Sequence, residues 1–253
     1  MELLRTENIV KYFGEFKALD NVSISLNKAE VGLIIGPNGS GKTTLINVIT
    51  GKLKCDSGKV IFKNIDVTNK EPHVLYHLGM VRTYQNPLPL KEMTVLENLL
   101  VGNISKGEHP LRAFKYSSWI YEEEQQVERA LAILDFLKLS HLTFQKAGEL
   151  SGGQMKLIEI GRALMTKPNL IIMDEPIAGV APGLAHQIFS QILRLKKDGI
   201  SFLIIEHRLD IVLNYIDRIY VMFNGSVIAS GEGDEVADVM SDPKVIEIYV
   251  GGK

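Results

Sequence analysis

Apolar positions follow three different patterns along the chain. Over the first 86 residues they come in short runs broken by turn formers: 9–13, 22–26 and 31–35 read as strands, and "SGKVIFKNIDV" at 57–67 as a hairpin. A glycine-rich loop follows residue 35, and helical spacing takes over across 42–49. Between "KEMTVLENLL" and Leu139 the period lengthens: in "EEEQQVERALAILDFLKL" the residues Val127, Ala130, Leu131, Leu134 and Leu137 fall on one helical stripe, and the three glutamates before it suit a helix N-terminus. Further on, helix and strand patterns alternate: a helix over 154–165, the strand in "NLIIMDEP", a helix over 183–196, the strand in "SFLIIEH", and a helix over 208–215. The hairpin "RIYVMFNGSVIAS" turns at Asn224-Gly225, and "DPKVIEIYVGGK" reads as a short final helix. This order predicts an α/β fold with a mixed-sheet core, an N-terminal antiparallel β subdomain and an inserted helical subdomain. The expected division is a core of 1–86 and 157–253 around a helical insert of 87–156.

Composition narrows the class. With 253 residues and 45% hydrophobic content the chain can bury a large core, and a formal net charge of -2 without a Lys/Arg stripe disfavours a nucleic-acid partner. The apolar runs are strand-sized, far short of a membrane span. One cysteine, Cys55, cannot form an internal disulfide and gives no reason to expect thiol or metal chemistry.

The chemistry concentrates in a few motifs. In "VGLIIGPNGSGKTTLI" the pattern G-x-x-x-x-G-K-T runs through Gly36, Pro37, Asn38, Gly39, Ser40, Gly41, Lys42 and Thr43 into Thr44, with a strand before it and a helix after it. Backbone amides of 38–43 and the helix's positive end suit a phosphate cup; Lys42 would reach the β and γ phosphates of a nucleotide, and Thr43 would offer its hydroxyl to Mg2+. "LIIMDEP" carries Asp174 and Glu175 to a strand end, Asp174 suited to hold Mg2+ through its water shell and Glu175 to polarise the attacking water. "FLIIEH" repeats the construction: His207 reads either as a cap or as a γ-phosphate sensor, and Glu206 as a strand-end charge. Gln85, in "VRTYQNPLPL", stands either as a solvated loop amide or as a residue meeting both Mg2+ and the attacking water. Tyr12 and Phe13 are each available either to stack on an adenine or to pack in the core.

A second glycine turn, "GELSGGQMK" at 148–156, lacks the lysine a triphosphate cage needs. Ser151, Gly152 and Gly153 can still donate amides from a helix start at Gln154, which makes half of a phosphate site. "LSGGQ" together with "GPNGSGKT", "LIIMDEP", Gln85 and His207, in this order, resembles the ATP-binding subunit of an ABC transporter over essentially the whole chain. The resemblance implies a P-loop NTPase fold and a head-to-tail dimer, each ATP lying between one chain's phosphate loop and the other's signature turn. It also implies Phe13 as the adenine-stacking residue with Tyr12 second, Gln85 as the lid glutamine that links the site to the membrane partner, and Glu175 as the catalytic base. One position departs: Ala181 in "AGVAPG" stands where the family carries an Asp, so a cross-dimer hydrogen bond expected there is missing or replaced.

"VRTYQNPLPLKEMTVLENLLVG", the insert "HPLRAFKYSSWIYEEEQQ", "MDEPIAGVAPGL" and "DPKVIEIYVG" are similar to the LivG-type ATPases of branched-chain amino-acid uptake. That resemblance implies two transmembrane permease subunits, a LivF-type second ATPase or self as dimer partner, an extracytoplasmic amino-acid-binding protein, and a place on the cytoplasmic face of the membrane. The rivals are an ATPase of lipopolysaccharide export, a soluble ABC ATPase acting on DNA or translation, and a non-catalytic regulatory subunit. Single copies of each motif and the intact Lys42, Asp174, Glu175, Gln85 and His207 argue against the last two.

Overall fold

Strand β1 (Glu2–Phe13) buries Leu3, Leu4, Thr6, Ile9 and Val10 and turns back through Gly14 into β2 (Phe16–Val22). The computed structural model describes residues 1–83, 90–102 and 116–250, with backbone alone at 116–120 and 249–250. β3 (Ser25–Asn27) also pairs β1, so the single strand expected over 22–26 is two strands, split at residues 23 and 24. β1 starts earlier than its apolar run because Arg5, Glu2 and Glu7 pair with one another on its solvent side while Leu3 and Leu4 are buried. β4 (Val31–Ile35), wholly buried, feeds the glycine loop and α1 (Lys42–Ile49). β5 (Ser57–Phe62) and β6 (Ile65–Asp66) form the expected hairpin, and α2 (Pro72–His77) leads into β7 (Met80–Arg82).

In the middle of the chain, α3 (Val95–Leu100) precedes α4 (Tyr116–Phe136), which starts upstream of the acidic run, so Glu122, Glu123 and Glu124 lie inside the helix and not at its N-terminus. Ala130, Leu134 and Leu137 are buried, whereas Leu131, on the edge of the same stripe, is exposed. α5 (Gly152–Met165) starts two residues before its expected first residue. Then β8 (Leu170–Asp174), α6 (Pro182–Lys197), β9 (Ser201–Ile205), α7 (Leu209–Val212, continued by a 3-10 turn through Tyr215), β10 (Arg218–Phe223) and β11 (Ser226–Glu232) follow in the predicted alternation, and α8 (Glu235–Ser241), which the sequence pattern did not disclose, precedes α9 (Pro243–Val250). At the β10–β11 turn Asn224 and Gly225 both have positive φ, +46° and +78°, the geometry that a two-residue hairpin with right-handed twist needs.

Among the described residues the strands form two sheets. One is antiparallel, in the order β2-β1-β5-β6 with β3 on β1; the other runs β11-β10-β4-β9-β8-β7, parallel except for β11. A single apolar core joins them: Leu4, Leu26 and Phe62 of the first sheet share it with Ile34, Leu203, Tyr220 and Met222 of the second. The Tyr220 hydroxyl adds a polar tie, donating to Ser25 O at 2.6 Å and accepting from Ser25 N at 2.9 Å.

The chain divides into two compact units, 1–85 with 169–176 and 185–253, and 86–168 with 177–184. Both sheets belong to the first. In the second, Asn98 is fully buried, and its side chain meets the carbonyls of Leu90, Met93 and Thr94 and the Arg162 guanidinium. A buried amide with this many partners orients α3 against α5 within this unit.

Candidate functional site

Strand order brings the separate motifs together. β4, β8 and β9 come in that order along the chain, but β9 lies between the other two: Ile34 is opposite Ile205, and Ile205 is opposite Asp174. The glycine loop, the acidic pair and His207 therefore leave the same edge of a parallel sheet, where open α/β sheets bind ligands. They line a cleft of about 300 Å3 together with Phe13, Phe16, Ala18 and Ile205.

The loop is built for an anion. Gly36 (φ +150°), Gly39 (+81°) and Gly41 (+101°) hold conformations that side-chain-bearing residues rarely adopt. The amides of Asn38, Gly39, Gly41, Lys42 and Thr43 have no acceptor among the described residues, while that of Ser40 is taken by Pro37 O at 3.2 Å. Five unmatched donors at the start of α1 make a cradle for phosphate oxygens. The Lys42 ammonium is buried and folds back to donate to Gly36 O and Pro37 O, both at 2.8 Å. Burial draws its pKa below the ordinary lysine range, partly opposed by the carboxylates of Glu175 and Asp174.

The acidic pair splits into two environments. Glu175 sits at φ +50° with its amide on Ile205 O at 2.9 Å, a left-handed turn that costs a non-glycine residue about 1 kcal/mol. Its Oε1 lies 3.2 Å from His207 Nε2, within hydrogen-bond reach of the imidazole. Asp174, nearly buried, is met at Oδ2 by the Arg82 guanidinium at 3.2 Å, and Arg82 also donates to Asn47 Oδ1 at 2.5 Å. Asp174 Oδ1 makes no hydrogen bond among the described residues.

This donor chemistry fits magnesium. The Thr43 hydroxyl and the Asp174 carboxylate are hard oxygen donors on one cleft, and Mg2+ takes one or two protein oxygens while completing its shell with water and phosphate.

A sequence profile of the family described as ABC transporter matches residues 19–178. The chain belongs to the ABC transporter family. Within that family it is an ATP-binding subunit and an ATPase. It is 72% identical over 252 residues to the probable branched-chain amino acid transport ATP-binding protein LivG of Methanocaldococcus jannaschii, covering 99% of this chain and 98% of the relative. It is also 72% identical to the crystal structure of the ADP conformation of an ATP-binding cassette of an ABC transporter, with TM-score 0.88 and 99% of each chain covered. A dimeric cassette in a post-hydrolysis state, bound to ADP and Pi, is 26% identical with TM-score 0.73 over 91% of this chain and 98% of that one.

The ABC signature turn lies in the second unit. Ser151 caps α5: its hydroxyl accepts from Gln154 N at 3.3 Å, and the Gln154 side chain accepts from Ser151 N at 2.9 Å. The Ser151 amide is thus committed within the chain, while those of Gly152 and Gly153 have no acceptor among the described residues. The two glycines differ. A side chain on Gly153 would start 2.1 Å from Leu184 Cδ2, whereas one on Gly152 would meet nothing within 4 Å.

Among the aromatic candidates, Phe13 lines the cleft; Tyr12 does not, and its ring lies under the Lys17 ammonium at 5.6 Å. Gln85 lies outside the described residues. Four features went unread in the sequence. Phe16, exposed on the same cleft, was signalled by a second aromatic across the Gly14 turn. The capping box was legible as S-x-x-Q. Glu206, taken for a strand-end charge, is buried and accepts from the amides of His207 and Arg208 at 3.1 and 3.4 Å, bracing the turn that carries His207. Arg82 has no motif, and only strand pairing brings it to Asp174.

Proposed function

We propose that this chain powers import of branched-chain amino acids, leucine, isoleucine and valine, through separate transmembrane permease subunits at the cytoplasmic face of the membrane. It would act paired with a LivF-type ATPase or a second copy of itself, with an extracytoplasmic binding protein delivering cargo. The observation that carries the ATP-driven part is the pair of uncommitted amides at Gly152 and Gly153 on a turn without a lysine: a phosphate half-site with open space before it. The other half, in a partner chain, is the phosphate loop. The cargo assignment rests on likeness to the LivG relative.

In the proposed cycle the unmatched amides at Asn38, Gly39, Gly41, Lys42 and Thr43 bind the phosphates of ATP, and Lys42 exchanges its two carbonyl partners for β and γ oxygens. Thr43, Asp174 and Gln85 would hold Mg2+, which when bound would neutralise charge on the phosphates. Phe13, with Phe16 beside it, packs on the adenine; Pro37, Ser40 and Thr44 shape the loop. Glu175 takes a proton from the attacking water, and His207, now paired with Glu175, turns to the γ-phosphate when that group arrives. Ser151, through Gln154, holds Gly152 and Gly153 on the partner's γ-phosphate. Bound ATP thereby joins two chains, and loss of the γ-phosphate removes the contacts that hold them together.

The test is reconstitution with the permease subunits and binding protein in proteoliposomes. The expected result is ATP-dependent uptake of labelled leucine that unlabelled isoleucine and valine compete away. Uptake of another solute class with none of leucine would overturn the cargo assignment.

A further inference from the structure

Arg82 joins the two elements that carry the metal-holding side chains. Its Nη2 lies 3.2 Å from Asp174 Oδ2 on β8, and its Nη1 donates at 2.5 Å to Asn47 on α1, one helical turn beyond Thr43. The guanidinium is nearly buried and held at both ends, so it cannot leave the carboxylate without giving up Asn47 as well. Two fixed cations, Lys42 and Arg82, thus stand against two fixed anions, Asp174 and Glu175. Without nucleotide the cleft offers a divalent cation little net attraction, and one oxygen of Asp174 is already occupied. The phosphates of a nucleotide supply the missing negative charge, and Asp174 Oδ1 remains available.

We infer that Arg82 is the resident counter-ion of Asp174, a positioning residue that makes divalent-cation binding conditional on nucleotide. The inference rests on Thr43 and Asp174 being the magnesium-holding residues. It assigns Arg82 a purpose distinct from packing: it stops the empty site from trapping a metal ion where the Mg2+ of incoming Mg-nucleotide must sit.

The experiment follows free Mn2+ by electron paramagnetic resonance during titration of the full chain, with and without ADP. Wild type is expected to bind Mn2+ tightly only with ADP. Arg82→Met is expected to tighten nucleotide-free Mn2+ binding about tenfold or more, because the carboxylate pair then outweighs the single cation Lys42, while Arg82→Lys keeps wild-type behaviour. A packing role alone would weaken stability in both variants without creating nucleotide-free binding. Should Arg82→Met fail to fold, Asn47→Asp offers the guanidinium a second carboxylate and is expected to raise nucleotide-free Mn2+ affinity by a smaller factor. Folded Arg82→Met, or Asn47→Asp in its stead, with wild-type nucleotide-free affinity overturns the counter-ion inference while leaving the metal site standing. Wild type that binds no Mn2+ even with ADP overturns the metal-site reading and this inference together.

Discussion

At the scale of single residues, the loop glycines divide by what surrounds them. A Cβ on Gly36 would stand 2.1 Å from the Met222 carbonyl oxygen, a backbone atom in the neighbouring strand that cannot step aside, whereas one on Gly39 would meet nothing within 4 Å. Gly36→Ala therefore adds collision to strain and should cost about 3 kcal/mol, against about 1 kcal/mol of conformational strain for Gly39→Ala, read from urea unfolding midpoints. Gly39→Ala should still weaken nucleotide binding, because alanine keeps the amide but disfavours the φ of +81° that holds it in the cradle. Equal destabilisation by the two would mean that the β10 backbone yields. The G-x-x-x-x-G-K-T pattern disclosed that glycines were needed, but not that one is held by a neighbouring strand and another only by its own φ.

At the scale of elements, two helices carry the same cap for different reasons. Thr94 with Glu97 caps α3, and Ser151 with Gln154 caps α5, each by a reciprocal pair of bonds. Thr94→Ala and Ser151→Ala should each cost about 1 kcal/mol of stability. Only Ser151→Ala should also lower ATPase activity, several-fold, because its helix start presents the uncommitted amides of Gly152 and Gly153. Thermal melts paired with steady-state hydrolysis separate the effects, and parallel loss of activity in both variants would reduce the Ser151 cap to a structural one. Helices and strands with strong periodicity, such as α1, β4, β8 and β9, were legible from the chain because each carries its own apolar pattern and end signals. The start of α4 was not, because a charged run reads equally well as a helix's first turn or its exposed middle.

For the whole molecule, the decisive property is association. Glu175→Gln retains the loop amides and Lys42 but removes the proposed general base, so it should slow hydrolysis at least about 100-fold while still binding Mg-ATP. Light scattering should then show the variant shifting from monomer to dimer with Mg-ATP and reverting when the nucleotide is removed. A persistent monomer with bound ATP would point instead to an obligatory second ATPase or a membrane scaffold. No helix among the described residues is long and apolar enough to cross a membrane.

The sequence alone determined the chemistry of the parts: a phosphate loop, an acidic strand end, a histidine strand end and a lysine-less glycine turn, each legible because its function needs particular residue types at short spacing. It determined the α/β class for the same reason, since apolar periodicity is local. What tertiary structure decided is adjacency. That β9 lies between β4 and β8, that His207 meets Glu175, that Arg82 neutralises Asp174 and that Glu206 is buried all depend on strand pairing between segments as much as 170 residues apart. No local pattern encodes such pairings; they follow from burying apolar strand faces contributed by distant segments against one another, which only the folded chain can do.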